Sequence, residues 1–157
     1  MRSKMTAADL SPERSAPHLV DAIFQARREE RRDLQDHVVE LTRHPSRIVR
    51  EEALALLSVT WRTLGARDLL LELVRDDEDF GVRSRSAGAL GLISTESTRQ
   101  ADTVILKGIV LDHNEHQLVR ASAYEGLCRM HGRRPPPLDE DVIVERDVNL
   151  GWVEGLG

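Results

Sequence analysis

The segment Asp112-His113-Asn114-Glu115-His116 offers side chains that could bind a metal ion. Its two imidazoles stand three residues apart beside two carboxylates, and nitrogen and oxygen ligands at this spacing can share one divalent ion on a helix. The segment, however, separates two apolar-periodic runs, where a polar connector belongs. We therefore interpret it as a connector, and we predict neither a metal site nor a bound cofactor.

Cys128 is the single cysteine of the chain. It directly follows Leu127 in an apolar run, at a position that favours a small residue. We therefore interpret it as a small side chain packed in the core and not as a reactive thiol. The sequence shows no glycine-rich phosphate loop and no nucleophile motif with a base nearby. It therefore predicts that the protein is not an enzyme.

An internal repeat must position these residues. A Val-Arg pair begins at Val49, Val82 and Val119, and each valine is followed by a small residue four positions later and a Leu eight positions later. The valines stand 33 and 37 residues apart, which is the period of solenoids built from pairs of helices. The three positions share one helical stripe, where the small residue lets a second helix backbone approach closely.

Each Val-Arg pair is preceded by another apolar-periodic run and a short polar connector. The preceding runs end near Leu41, Val74 and Leu111, and their apolar residues are spaced for one helical face. The connectors between them and the valines can supply N-caps for the following helix. Each unit of the repeat is therefore predicted to contain two helices.

The middle unit runs Val82-Arg83-Ser84-Arg85-Ser86-Ala87-Gly88-Ala89-Leu90-Gly91-Leu92. A Val-Arg pair followed by small residues and Leu-Gly is typical of short, bacterial-type HEAT-like repeats, so the chain resembles that family over residues 34–132. The first and third units depart from the pattern, because Ser58 and Cys128 replace the Gly after the Leu. The resemblance implies an all-α, armadillo-type fold: an α-α superhelix, or solenoid, of about three helical-hairpin repeats with an N-terminal capping helix.

The chain divides into three predicted parts. Residues 1–16 contain breakers and few apolar side chains, so we expect a flexible segment. Residues 17–134 form the repeat domain, which opens with the capping helix near Pro17. Three prolines then end the helices. Residues 135–157 are a Pro-led acidic tail, which either packs as a cap on the last repeat or acts as an acidic peptide presented to a partner.

The charge distribution bears on the class of partner. The chain has 27 acidic and 22 basic residues and a net charge of -5. Residues 138–157 contain six acids and one base, so the whole net charge lies in the tail. A neutral body with an acidic tail is unsuited to a phosphate backbone, so we predict no nucleic-acid binding.

Membrane and export signals are also missing from the sequence pattern. The apolar stretch Leu69-Leu70-Leu71 ends at Glu72, far short of the ~20 residues that a bilayer span requires, and we predict no membrane partner. The basic residues near Met1 are followed by a polar segment instead of the apolar run of a signal peptide. Since a single cysteine forms no intrachain disulfide, we expect the cytoplasm.

Arg50, Arg83 and Arg120 each follow a valine of the repeat on the first turn of a second helix. In a solenoid they would stack as an inter-repeat ladder and pair with connector or first-helix acids, for example Asp77 or Asp112. The alternative is a row of guanidinium groups that binds carboxylates of a partner.

The second helices of HEAT-like stacks line the concave side, and residues that turn away from the packed stripe face a partner there. These candidate partner-binding residues are Glu52, Arg85, Glu125 and Arg129. Trp61, at the end of the first such helix, is added as a binding residue, with packing in the core as the alternative.

The predicted function is that of a non-enzymatic protein–protein interaction module, an adaptor or regulator, whose partner is another protein. The alternative is a bacterial immunity or antitoxin protein that neutralises a toxin. A third interpretation is a bilin lyase-like or other HEAT-type enzyme. Hydroxylases of this kind hold iron with His-Glu dipeptides, and none of the six histidines here is followed by Glu.

Overall fold

The computed structural model describes residues 5–137, 139 and 141–157. Regular structure in these ranges is helical throughout, without a strand, and this confirms the predicted all-α fold of paired helices. The chain forms two compact units, the first ending at Arg62 and the second beginning at Thr63. This border lies inside residues 17–134, which the sequence treats as one repeat domain. None of the described helices combines the length and the apolar character that a membrane span needs.

The described part of the N-terminal unit contains three α-helices. They are α1 (Ala16–Arg28), α2 (Gln35–Leu41) and α3 (Arg47–Ala55). Pro17 lies in the first turn of α1, where its missing N–H costs nothing. Helix α3 contacts both α1 and α2 and then continues as a π-helical turn, Leu56–Thr60. The buried sides of α1 and α3 carry Leu19, Ile23, Val49 and Leu54.

The described part of residues 1–16 also contributes to this unit. A short 3-10 helix, Ala7–Leu10, contacts α1 and α2. Met5 and Leu10 are 3% and 0% exposed, so both side chains are packed. Residues 1–4 of the segment that was predicted to be flexible lie outside the described residues.

The C-terminal unit contains two helical pairs. They are α4 (Arg67–Asp76) with α5 (Phe80–Ile93), and α6 (Arg99–Leu111) with α7 (Gln117–Met130). Each first helix packs on its own second helix, and α5 packs extensively on α7. The Asp79 carboxylate accepts the backbone N–H groups of Gly81 and Val82 and so caps the start of α5.

Helices α5 and α7 are in backbone contact. A Cβ atom added to Gly91 would lie 2.3 Å from the Cα of Gly126, so only glycine allows this approach. About two turns before Gly91 on α5 and one turn before Gly126 on α7, the hydroxyl groups of Ser84 and Ser122 lie 2.7 Å apart. Because residue numbers rise together along the contact, α5 and α7 run parallel.

The acidic tail packs against the second pair through two short helices, α8 (Val144–Asp147) and α9 (Leu150–Glu154). Val144 and Val153 are fully buried. The Lys107 ammonium group on α6 donates to the carbonyls of Glu154 and Leu156, at 2.8 and 2.6 Å. Residues 138 and 140 of the tail lie outside the described residues.

Candidate partner-binding surface

The candidate partner-binding residues are divided between the two units. Glu52 and Trp61 belong to the N-terminal unit, and Arg85, Glu125 and Arg129 belong to the C-terminal unit. Each group is therefore described within its own unit.

In the N-terminal unit, Glu52 is half-buried and pairs with α1. Its Oε2 atom lies 3.7 Å from Nη2 of Arg27. Trp61 is only 3% exposed. Its backbone N–H donates to the carbonyl of Leu56 at 2.9 Å, and its backbone carbonyl accepts a hydrogen bond from Arg32 at 3.1 Å. The indole of Trp61 therefore offers almost no surface to a partner.

The π-helical turn explains the position of Trp61. On an uninterrupted helix, a residue twelve positions after Val49 would point about 120° away from it. The turn Leu56–Thr60 takes up one extra residue, so Trp61 points only about 20° from Val49, on the packed side. Packing in the core was the alternative that the sequence analysis gave for Trp61, and the burial of its ring agrees with that alternative.

In the C-terminal unit, Arg85 and Arg129 lie on the side of the second helices that faces solvent. Arg129 pairs with Glu125 one turn earlier on α7, with Nη2 3.0 Å from Oε2. Its other guanidinium nitrogen would lie 3.9 Å from a Cβ atom at Gly88, so the arginine extends across α5 at a residue without a side chain. Arg85 is exposed three residues before Gly88 on the same face of α5.

Two of the three ladder arginines share a contact that the sequence analysis missed. Arg50 donates to the carbonyls of His44 and Pro45, at 3.1 and 3.0 Å, and Arg83 donates to those of Asp77 and Glu78, at 2.9 and 3.2 Å. These carbonyls stand six and five residues before the arginine in both units. The Val-Arg spacing after a short connector is the signal that could have predicted this contact between the arginine and the connector carbonyls.

Arg120 departs from that pattern. Its Nε donates to the carbonyl of Val110, at 2.9 Å, within α6. The main-chain bonds of all three arginines satisfy carbonyls at or just after the end of a first helix, which lack a partner within the helix. Each arginine thus closes its own helical pair.

Two of the arginines also reach beyond their own pair. Arg83 binds the Glu115 carboxylate with two nitrogens, at 3.2 and 2.9 Å, so that Glu115 and not Asp112 supplies the carboxylate from the next connector. The Nη1 atom of Arg120 lies 2.6 Å from Oε1 of Glu145 in the tail. The tail thus gives the last arginine the kind of partner that a following repeat gives Arg83.

The protonation equilibria reflect these pairs. Burial alone would raise the pKa of Glu115, but hydrogen bonds from Arg83 and from the N–H of His116 lower this pKa below its usual value. Hydrogen bonding to Arg120 is the main cause that lowers the pKa of Glu145 to about 2. Both carboxylates are ionised at neutral pH and act as permanent partners of their arginines.

The side chains that could do chemistry are engaged in structural contacts. His113 lies 3.2 Å from Glu145, and His116 accepts the N–H of Leu118 and stacks on Phe80 with ring centroids 4.0 Å apart. No group of three His, Cys, Asp or Glu side chains within the described ranges could hold a metal ion. Cys128 is buried, and burial raises the pKa of its thiol, so the thiolate that would react is disfavoured.

Comparison with known proteins supports the repeat assignment. The family of HEAT repeats matches the chain over residues 35–128, which run from the start of α2 to two residues before the end of α7. Searches of curated proteins and of solved structures gave no significant match. Because the family match covers more than half of the chain and coincides with its helical pairs, this protein belongs to the HEAT repeat family.

Proposed function

We propose that this HEAT repeat protein is a non-catalytic protein–protein interaction module, an adaptor or regulator, that binds its partner through the solvent-facing side of its second helices. HEAT repeats commonly mediate such interactions. One observation supports this surface above the others. Arg129 extends across α5 over Gly88, three residues after Arg85, and the side chains of Arg85 and Arg129 are both exposed on this surface.

The binding residues of the proposal are Arg85, Glu125 and Arg129, with Glu52 in the N-terminal unit. Trp61 is left out because its ring is buried. Guanidinium groups bind carboxylates through two parallel hydrogen bonds, so an acidic side chain of the partner suits Arg85 and Arg129. The cytoplasm is the proposed location, since the one cysteine is buried and no disulfide is needed.

The test is capture of the natural partner from the source cells, followed by affinity measurement with purified partner. Arg85→Glu and Arg129→Glu should each weaken binding about tenfold or more, which is about 1.4 kcal/mol. Their melting temperatures should stay close to that of the unaltered protein, because exposed substitutions change stability by about 0.5 kcal/mol or less.

The matched control is Arg99→Glu, which reverses an exposed charge at the start of α6, on a first helix. It should leave the affinity unchanged. Full affinity in both Arg85→Glu and Arg129→Glu would show that the partner binds elsewhere on the protein.

A further inference from the structure

The first helices of the C-terminal unit are separated by a groove. Its volume is about 440 Å³, and its lining consists of Leu71, Val74, Arg75, Ile105, Ile109, Asp112 and Glu115. Each first helix packs on its own second helix, and the glycine contact brings only α5 and α7 together. The first helices α4 and α6 are therefore left apart on the other side of the unit.

The floor of the groove is aliphatic and open to solvent. Leu71, Ile105 and Ile109 are half-buried, although their side chains line the groove. The apolar surface extends along α6, where Val104 is 62% exposed. A Cβ atom at Gly108, one turn further, would meet no atom within 4 Å. A continuous apolar surface of this kind is typical of a site that another molecule covers.

One end of the groove is acidic. Since α5 and α7 run parallel and each pair is joined by a short connector, α4 and α6 also run parallel, and their C-terminal ends lie at the same end of the groove. The carboxylates of that end and of its connectors are Asp76, Asp77, Glu78, Asp79, Asp112 and Glu115. Arg75 pairs with Asp76 and Arg83 pairs with Glu115, so the six carboxylates outnumber these two arginines, and the carbonyl ends of two helices add negative potential.

The opposite end of the groove lacks this excess of negative charge. There the buried carboxylate of Asp102 is paired with Arg67, with Oδ1 2.6 Å from Nη2, and accepts a hydrogen bond from Ser94. The exposed charges there are of both signs, with Arg99 at the start of α6 against Asp68 in the first turn of α4 and Glu96 just before α6. The groove therefore has a direction, since it is more acidic at the C-terminal ends of α4 and α6 than at their N-terminal ends.

We propose that the groove binds an amphipathic helix of a protein partner, which places an aliphatic face between α4 and α6, runs antiparallel to both, and carries Lys or Arg in its first turns. The antiparallel direction brings its positive N-terminal end to the acidic end of the groove. Helices α4 and α6 have 10 and 13 residues, so the groove accommodates about three to four helical turns.

This site uses residues other than those of the second-helix surface and is independent of it. A second copy of the chain is the less suitable occupant. A stable dimer buries on the order of 1,000 Å² or more, whereas the open aliphatic surface here is limited to a few residues of α4 and α6.

The experiment is fluorescence anisotropy of the full-length protein with three labelled peptides of about 18 residues. All three have Leu at helical i, i+3, i+4 and i+7 spacing. The first has Lys in its first two turns, the second has the same residues with Lys in its last two turns, and the third has Glu in place of Lys. The first peptide should bind saturably and about tenfold more tightly than the other two.

The protein variants locate the site. Ile105→Glu should weaken binding of the first peptide about tenfold or more, and Asp76→Lys, which leaves the aliphatic floor intact, should weaken it about threefold and reduce its salt dependence. The control Ile48→Glu, at a 59% exposed position of the N-terminal unit, should bind normally. Arg85→Glu should also bind normally, which separates this proposal from that of the second-helix surface.

Several outcomes would overturn the proposal. Equal affinity for all three peptides would contradict the proposed orientation of the bound helix. Undiminished binding by both Ile105→Glu and Asp76→Lys would exclude the groove as the binding site. Circular dichroism shows whether Ile105→Glu is folded. If it is unfolded, the affinity of Asp76→Lys for the first peptide is the deciding measurement. Sedimentation showing a dimer of the unaltered protein that Ile105→Glu dissociates would identify a second copy as the occupant and contradict the partner helix.

Discussion

Gly91 has the tightest steric requirement among the residues of the α5–α7 contact. The alanine methyl group of Gly91→Ala would lie 2.3 Å from the Cα of Gly126 and force two helix backbones apart. We expect a loss of about 1–3 kcal/mol in the free energy of unfolding, in spite of the better helix propensity of alanine. Urea denaturation followed by circular dichroism measures this loss.

Gly108→Ala is the matched control for that substitution. Gly108 lies inside α6, and its added methyl group would meet no atom within 4 Å. This variant should gain about 0.5–1 kcal/mol, because only the backbone entropy of the unfolded chain changes. If both alanine variants gave the same gain, the contact between α5 and α7 would not depend on glycine.

Glu145 gives the stability of the protein a defined pH dependence. Its pKa is about 2 in the folded chain, against an ordinary value of 4.5. Because folding lowers this pKa, the ionised carboxylate stabilises the fold above the ordinary value, and this stabilisation is lost as the pH falls from there to about 2. Glu145→Gln should therefore melt at a lower temperature at neutral pH, and its difference from the unaltered protein should shrink on acidification.

Thermal melts between about pH 7 and pH 2 measure this difference. Glu154→Gln, an exposed acid of the same tail, is the control and should follow the unaltered protein at every pH. A melting difference for Glu145→Gln that stays constant down to pH 2 would contradict the assignment of its low pKa to the pair with Arg120.

Individual contacts were only partly predictable from the sequence. The small residues Ala53, Ser86 and Ala123 are buried, as the stripe predicts. The contact at Gly126 could not be deduced, because a stripe defines one packed side of a helix, whereas α7 contacts α6 on one side and α5 on another. For the same reason the stripe does not show that Gly88 lies beside Ser122, with 3.8 Å between its added Cβ and that of the serine.

At the level of helices and connectors, the bond between Arg83 and Glu115 links α5 to the connector of the next pair. Both side chains are 19% exposed, and the guanidinium binds the carboxylate with two nitrogens. A double-mutant cycle with Arg83→Met and Glu115→Gln should give a coupling free energy of about 1 kcal/mol, at the upper end for partly exposed pairs. Urea denaturation of the four proteins supplies the values.

The pair of Glu125 and Arg129, within one turn of α7, provides the comparison. Its coupling should be smaller, about 0.3–0.5 kcal/mol, because neighbouring residues on a helix pair at an exposed surface. A coupling for Arg83 and Glu115 that does not exceed this value would mean that the bond orients the connector without stabilising the fold.

Helix pairing was predictable, and helix continuity was not. The apolar period of 3.6 residues identifies α2 to α7, because each needs one buried face. The π-helical turn Leu56–Thr60 has no such signal, since it arises when packing displaces one hydrogen bond of an otherwise ordinary apolar run. The sequence leaves Trp61 open between the surface and the core, and this turn directs it to the core.

For the molecule as a whole, the acidic tail determines both the net charge and the closure of the last pair. Deletion of residues 138–157 would expose Arg120 without its carboxylate and remove the whole net charge of -5. We expect a melting temperature lower by several degrees, at about 2–4 °C for each kcal/mol, and association of the near-neutral protein. Thermal melts and light scattering measure the two effects.

Deletion of residues 155–157 serves as the control. It removes the Leu156 carbonyl from Lys107 but keeps Glu145 and the buried valines of α8 and α9. Its melting temperature should fall much less than that of the longer deletion, and light scattering should show no association. Equal behaviour of the two deletions would place the stabilising contacts of the tail in its last three residues.

The charge of the tail could be counted from the sequence, but its packing could not. The apolar and charged residues of the segment 142–148 are compatible with a buried cap and with a free peptide. The contact of Glu145 with Arg120 depends on the distance that the chain covers after the three prolines, which composition does not define. The border between the two units at Arg62 and Thr63 is equally absent from the regular spacing of the valines.

The tail is in effect a transferable terminator. Arg120 contacts Glu145 much as Arg83 contacts Glu115. A duplicate of residues 99–131 inserted ahead of the tail would therefore find a partner at both of its ends, because its own connector carboxylate would bind Arg120 and its own arginine would bind Glu145. The number of repeats in this protein thus becomes a quantity that can be engineered, with the final segment reused unchanged.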